Sequence, residues 1–335
     1  KSRRLAKFSQ KMEKQLEDFY MSLYLQRWSQ PKVNDVFSRV PTVMMWDDHD
    51  IFDGWGSHPK EDQECPVFKG IYSIASKYFR VFQQQLAQGE PHPASCDSNG
   101  YSMGFDLGDL AIMVLDMRSE RTNTQVLSPD TWRNIYGWLD NLTGAHKHLY
   151  VMSSIPVVHP DFSMIEGILG IFPGQQSLED DLRDHWHSRP HRGERLRLIH
   201  RLLSLSSQKN FRTTILSGDV HVAALGAINS LRNTEADGRS HIINQLTSSG
   251  IVHPAPPAVV LLALKILGAD TEEVDQGITA ELINFPGTKH SFIGARNYLS
   301  LEPDDRGRIW ANWIVEGEED GEPYTKVIHP VNFSQ

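Results

Sequence analysis

Apolar residues recur at helical spacing over the first thirty positions. Leu5, Phe8, Met12, Leu16, Phe19, Leu23 and Trp28 fall mostly three or four apart among charged neighbours, which predicts one amphipathic helix over residues 3–30, ended by Pro31. Residues 41–46 then form an apolar run, Pro41-Thr42-Val43-Met44-Met45-Trp46, that reads as a buried strand. A second helix is predicted over 66–86, where Ile71, Ile74, Tyr78, Val81, Phe82 and Gln85 sample its faces, and Pro91 and Pro93 open a loop.

Strands are predicted at 100–105 and 110–115, separated by the turn-like Gly108-Asp109. Ser128-Pro129-Asp130 is a helix start, with Ser128 as N-cap and Pro129 at the first helical position. Further strands are predicted at 149–151, 212–216, 242–246, 291–301 and 308–316, with an amphipathic helix at 194–205. Pro303-Asp304-Asp305-Arg306-Gly307 joins the last two strands as a hairpin connection. Residues 156–192 are long and irregular and carry Glu179, Asp180, Asp181, His185, His187 and His191. A loop of that length inside a domain is expected to act as a lid. The chain holds no internal repeat.

Strands alternating with helices predict a layered α/β domain over 1–335. Ligands collect at the carboxyl ends of such strands, and polar clusters sit at the predicted strand ends 46–50, 116–121, 153–159 and 217–221. Their convergence on one cleft is the simplest expectation.

Composition narrows the class. With 335 residues, 22% charged and 39% hydrophobic, this is an ordinary soluble composition. The net charge of −9 argues against a protein that coats nucleic acid, since no broad cationic field is available. Cys65 and Cys96 cannot build a disulfide framework, which leaves the compartment open and favours an intracellular one. The apolar run 258–264, broken by Lys265, is too short to span a bilayer. Core packing is its expected role; a helix over 254–268 lying on a phospholipid surface is the alternative. An opening Lys1 in place of Met points to a chain that begins inside a longer gene product. Oligomeric state is left open.

The chemistry gathers in Trp46-Asp47-Asp48-His49-Asp50. Carboxylates beside an imidazole suit a metal-assisted hydrolase, with Asp48 able to hold a cation and His49 placed as an acid or donor. A solvated acidic turn is the duller alternative. Gly218-Asp219-Val220-His221 repeats the acid–histidine pattern after another strand, with Gly218 expected to supply the tight turn. Asp116, Arg118 and Arg121 form a third junction, and an arginine fork suits phosphate oxygens; a salt-bridged structural turn is the alternative. His159, His185, His187 and His191 read as surface or lid residues. No Walker A run, dinucleotide fingerprint or serine elbow occurs.

Pro41-Thr42-Val43-Met44-Met45-Trp46-Asp47-Asp48-His49-Asp50, Leu115-Asp116-Met117-Arg118-Ser119 and Leu216-Ser217-Gly218-Asp219-Val220-His221 together resemble the PhoD-like phosphatases of the calcineurin-like metallophosphoesterase superfamily. The resemblance extends through 245–250. It implies a β-sandwich flanked by helices and metal-dependent hydrolysis of phosphate monoesters or diesters. Asp48 would stand at the asparagine of the Asn-His motif as a metal ligand, with Asp219 and His221 as further ligands. His49 would serve the leaving oxygen, and Arg118 would stabilise developing charge.

Iron, calcium, manganese or zinc would fit such donors. The superfamily's Asp-x-His and Gly-Asp-x-x-Tyr motifs have no match before Trp46, and Ser153-Ser154-Ile155-Pro156 stands where a histidine ligand is common. The resemblance therefore implies that the first strands and the bridging acid are missing, that this chain alone holds at most one cation weakly, and that its activity is weak or absent. A non-catalytic interaction module on a degenerate phosphatase fold is the rival expectation.

Overall fold

The predicted strands at 110–115 and 149–151 send alternate side chains into two cores. In β2 (Leu110–Val114) Ala111 and Met113 face one side, while Leu110 and Ile112 face the other; in β3 (His148–Met152) Leu149 and Val151 oppose Tyr150. A strand whose two faces are both apolar must be covered twice, and this sheet is. The computed structural model describes residues 4–87, 89–160, 186, 188, 190–232, 242–248, 250–317 and 321–331.

The helices on one side are α6 (Pro129–Asn141) and α7 (Arg192–Lys209), which bring Trp132, Ile135, Leu139, Leu198, Ile199 and Leu202 against the sheet. On the other side a three-stranded sheet of β10 (Asn297–Pro303), β11 (Ile309–Val315) and β12 (Tyr324–Ile328) contributes Ile309, Ala311, Trp313 and Ile328. The expected β-sandwich with flanking helices is thus present.

The large sheet also contains β1 (Met103–Leu107), β4 (Arg212–Ser217), β5 (Ala223–Ser230), β6 (Ile242–Thr247), β7 (Glu272–Asp275), β8 (Ile278–Ile283) and β9 (Phe292–Ile293). Among the described residues its order is β1-β2-β3-β4-β6-β5-β8-β7, with β9 paired to β5. β2, β3, β4 and β6 run parallel, so Asp116, Ser153, Asp219 and Ser248 all follow carboxyl ends on one side.

Helix starts follow the sequence. Ser128 Oγ accepts from Thr131 N at 3.2 Å, and Pro129 opens α6. In α1 (Gln10–Trp28) Ser9 accepts from Met12 N at 3.3 Å. Beyond α1 lie α2 (Pro31–Arg39), α3 (Asp48–Ile51), α4 (Lys60–Gln63) and α5 (Pro66–Tyr78), which runs into a π-helical turn at Phe79–Gln83. Tyr20 stacks on Tyr78 and Tyr24 on Phe82, with centroids at 6.0 and 4.6 Å, so α1 and α5 seal an aromatic core of their own. The last helix, α8 (Ala258–Leu267), lies over β5 and β9.

Several expectations change. Residues 41–46 are extended but pair with no described strand, and Val43 is exposed; only Trp46 is fully buried, stacked 4.8 Å from Phe79. An apolar run anchored by one large side chain needs no ladder. The predicted 291–301 strand breaks into β9 and β10 at Gly294-Ala295-Arg296. His159 and His191 are buried rather than superficial, the latter bonded to Thr122 O at 2.9 Å. Of the predicted lid, residues 161–185, 187 and 189 lie outside the described residues, His185 and His187 among them.

Glu194 at the start of α7 is a buried structural carboxylate. It accepts from Val126 N at 2.8 Å, Leu127 N at 3.0 Å and Trp132 Nε1 at 2.6 Å. Glu194→Ala strands these donors without water, and we expect a loss of about 3 kcal/mol in urea unfolding. A shift below about 0.5 kcal/mol would contradict that role.

Candidate metal centre

Asp48 reaches its place because the chain turns at once from extended to helical. Asp47 is the N-cap of α3, and its backbone N–H is held by Asp50 Oδ2 at 2.9 Å while Gln83 Nε2 donates to Asp50 Oδ1 at 2.6 Å. Asp50 is therefore a support. Asp48 is 2% exposed; its Oδ2 accepts from Gly54 N at 2.8 Å, where Gly54 sits at φ 74. Asp48 Oδ1 is buried and receives no hydrogen bond.

Arg118 stands among these carboxylates with no exposed surface. Its Nε donates to Asp47 Oδ1, and its Nη2 lies 3.4 Å from both Asp48 Oδ1 and Asp219 Oδ1. Nη1 donates to Trp55 O at 3.3 Å. The neighbouring Asp116 is saturated: Trp46 Nε1, Arg118 N and Ser119 N donate to Oδ1 at 2.8, 3.0 and 3.0 Å, while Tyr101 N and Ser119 Oγ donate to Oδ2. Asp116 thus fixes the loop that presents Arg118. Arg121 is buried against Gly56 and His191 and belongs to the packing of that loop.

The second acid arrives at the end of β4. Val220 N donates to Gly218 O at 2.9 Å, closing a three-residue turn with Asp219 at φ 68, and His221 follows at φ 56. The expected role of Gly218 is therefore misplaced: the left-handed conformations fall on Asp219 and His221. Such backbone costs about 1–3 kcal/mol per residue and gathers at functional sites.

Ligand atoms of Asp47, Asp48 and Asp219 lie within 4.8 Å of one another, and so do those of Asp48, His49 and Asp53. His221 is in neither group; its ring centroid lies 3.8 Å from that of His253, with the planes tilted by 33°. Burial and the neighbouring His253 pull the His221 imidazole down to about 4. Burial also pushes the Asp48 carboxyl up, opposed by Arg118 and reinforced by Asp47. His49 is largely exposed, with Nε2 3.8 Å from Asp53 Oδ1.

Of the five residues singled out by sequence, Asp48, His49, Asp219 and Arg118 lie in or against these clusters, whereas His221 faces His253, a partner that sequence reasoning did not name. The signal for His253 was available: Ser217 pairs with Thr247 in the β4–β6 ladder, so the chain after β6 must pass the chain after β4. Asp53, just beyond the run 46–50, was not among the candidates drawn from sequence.

The donors suit a cation. Carboxylate oxygens and imidazole are hard-to-borderline ligands, and Asp48 Oδ1, ion-paired with Arg118 but receiving no hydrogen bond, has the surroundings of a ligand atom. Three carboxylates against the one guanidinium of Arg118 leave two negative charges in a largely buried space.

A family model for PhoD related phosphatase matches residues 1–172 and 161–272, and the chain belongs to that family. It is 28% identical over 278 residues to the uncharacterized protein YGR266W of Saccharomyces cerevisiae, across 65% of this chain and 39% of that protein. The solved structure of PhoD superposes with a TM-score of 0.56 at 17% identity, over 93% of this chain and 56% of that one. A purple acid phosphatase, PPD1, from yellow lupin (Lupinus luteus) seeds gives 0.46 at 12% identity, over 91% and 44%. The chain therefore spans about two fifths of the yeast relative and little more than half of PhoD.

Proposed function

We propose that this chain carries much of the active site of a metal-dependent phosphoesterase acting on phosphate monoesters or diesters. The observation that carries the reading is the convergence of Asp47, Asp48 and Asp219 within 4.8 Å, from two distant parts of the chain, beside an exposed histidine. Asp48 and Asp219 would hold the cation, with His221 and Asp47 next in reach. A bound cation there supplies Lewis acidity toward a phosphoryl oxygen and a more acidic water.

The remaining work falls to side chains. Gly54 N–H and Arg118 orient Asp48. His49, on the open side, is placed to give a proton to the leaving oxygen. Arg118 is fully buried and engaged by carboxylates, so we assign it a positioning role rather than direct contact with substrate. A non-catalytic interaction module is the rival, and Arg118 favours it to this extent: its guanidinium already neutralises part of the cluster.

Metal content and turnover separate the two. Titrated with iron, manganese, zinc or calcium, the chain is expected to bind one cation weakly and to hydrolyse a chromogenic phosphodiester at most weakly, any turnover ending when chelator is added. A chain that binds none of these ions by calorimetry contradicts the metal-centre reading.

A further inference from the structure

The helix α8, Ala258–Leu267, is apolar on both of its faces. Val260 and Leu264 are buried with Val222, Ala224 and Phe292, which accounts for one side. On the other, Val259, Leu262 and Ile266 fall at i, i+3 and i+7 and are 53%, 58% and 65% exposed. A surface helix ordinarily presents polar residues there. Just upstream, Ile251 and Val252 are 64% and 75% exposed, so the apolar surface continues beyond the helix, and exposed patches of this kind mark interaction sites.

Charge is distributed to match. No Asp or Glu occurs from Gly250 to Ala269, although the chain carries −9 overall. Lys265 is exposed on α8 beside Ile266; at the upstream end Arg296 Nε donates to Val252 O at 2.9 Å, and its Nη1 is paired with Glu316 Oε1 at 2.8 Å. The same stretch approaches the candidate site through His253, whose ring centroid lies 3.8 Å from that of His221.

We propose that this apolar face, whose own segment 250–269 carries no acid, docks on an anionic phospholipid bilayer. Val259, Leu262 and Ile266 would enter the boundary between headgroups and acyl chains, with Lys265 at headgroup level. A second copy is a poorer occupant, since a two-fold contact sets the same patch, with the same Lys265, against itself. No described helix is long and apolar enough to cross a membrane, so the contact is peripheral. Docking stands without the phosphoesterase reading. If both hold, lipid phosphate esters lie beside the site, a consequence that rests on that reading.

Cosedimentation tests it, with vesicles of phosphatidylcholine alone and with about one third phosphatidylserine. The wild-type chain is expected to pellet with the anionic vesicles and to remain largely in solution with the neutral ones. Leu262→Glu with Ile266→Glu is expected to lower the bound fraction at least about tenfold. Leu107→Glu, at a position 59% exposed on β1, leaves it unchanged. All three positions are exposed, so melting curves should stay at the wild-type midpoint.

The proposal is overturned if wild-type chain ignores anionic vesicles, or if the double variant binds them as well as wild type. A dimer that the double variant dissociates, with no vesicle binding, gives the face to a second copy and overturns it too. Because binding is read without turnover, an inactive chain that still binds vesicles refutes only the phosphoesterase reading.

Discussion

Arg118→Met is expected to cost about 3–5 kcal/mol of unfolding free energy, the usual penalty for removing one partner of a buried ion pair. Methionine keeps much of the volume, so packing contributes little. What remains is Asp47, Asp48 and Asp219 facing one another without the guanidinium that now lies 3.4 Å from the latter two. Urea unfolding measures the loss. Adding a divalent cation should then raise the variant's midpoint more than that of wild type, because the cluster has lost its internal cation and binding to the native state stabilises it. A variant within about 1 kcal/mol of wild type would show that Arg118 does not hold the cluster together.

Asp219→Ala is expected to lower metal affinity and phosphodiester turnover at least about 100-fold. The backbone allows a control that separates ligand loss from damage to the fold. Asp219 sits at φ 68, a conformation glycine adopts without strain. Asp219→Gly should therefore be about 1 kcal/mol more stable than Asp219→Ala while binding metal equally poorly. If either variant keeps wild-type metal content by elemental analysis, Asp219 is not a ligand.

Much of this architecture could be read from residue patterning. The strand–helix alternation from Leu110 onward, the Ser128 cap and the apolar periods of β4 and β6 each follow from local rules, and the structure bears them out. What escaped was non-local. Residues 41–46 have the composition of a strand, but a strand exists only with a neighbour, and no local pattern reports one. β5, β8 and β12 were missed because Gly226, small alanines or charged residues such as Glu281 and Lys326 dilute their alternation.

At the site, residue identities were legible because acid–histidine pairs after strands are chemically unusual. Their roles were less so. Asp116 and Arg118 are neighbours in sequence with opposite fates, one consumed by loop hydrogen bonds and the other by carboxylates. Only the packing of Trp46 and Trp55 around them decides this.

The strand order has a consequence for synthesis. β6 lies between β4 and β5, although it follows both in the chain. When β5 has been made, it has neither β6 nor β8 beside it, and the inner edge of β4 is likewise open. Until Thr247 emerges, the growing sheet carries a vacant slot with unpaired backbone groups on both sides, and such edges recruit other strands. A ribosome that stalls between residues 230 and 242 would therefore expose the most adhesive form of this polypeptide. Its yield in a cell should depend on how quickly that interval is translated.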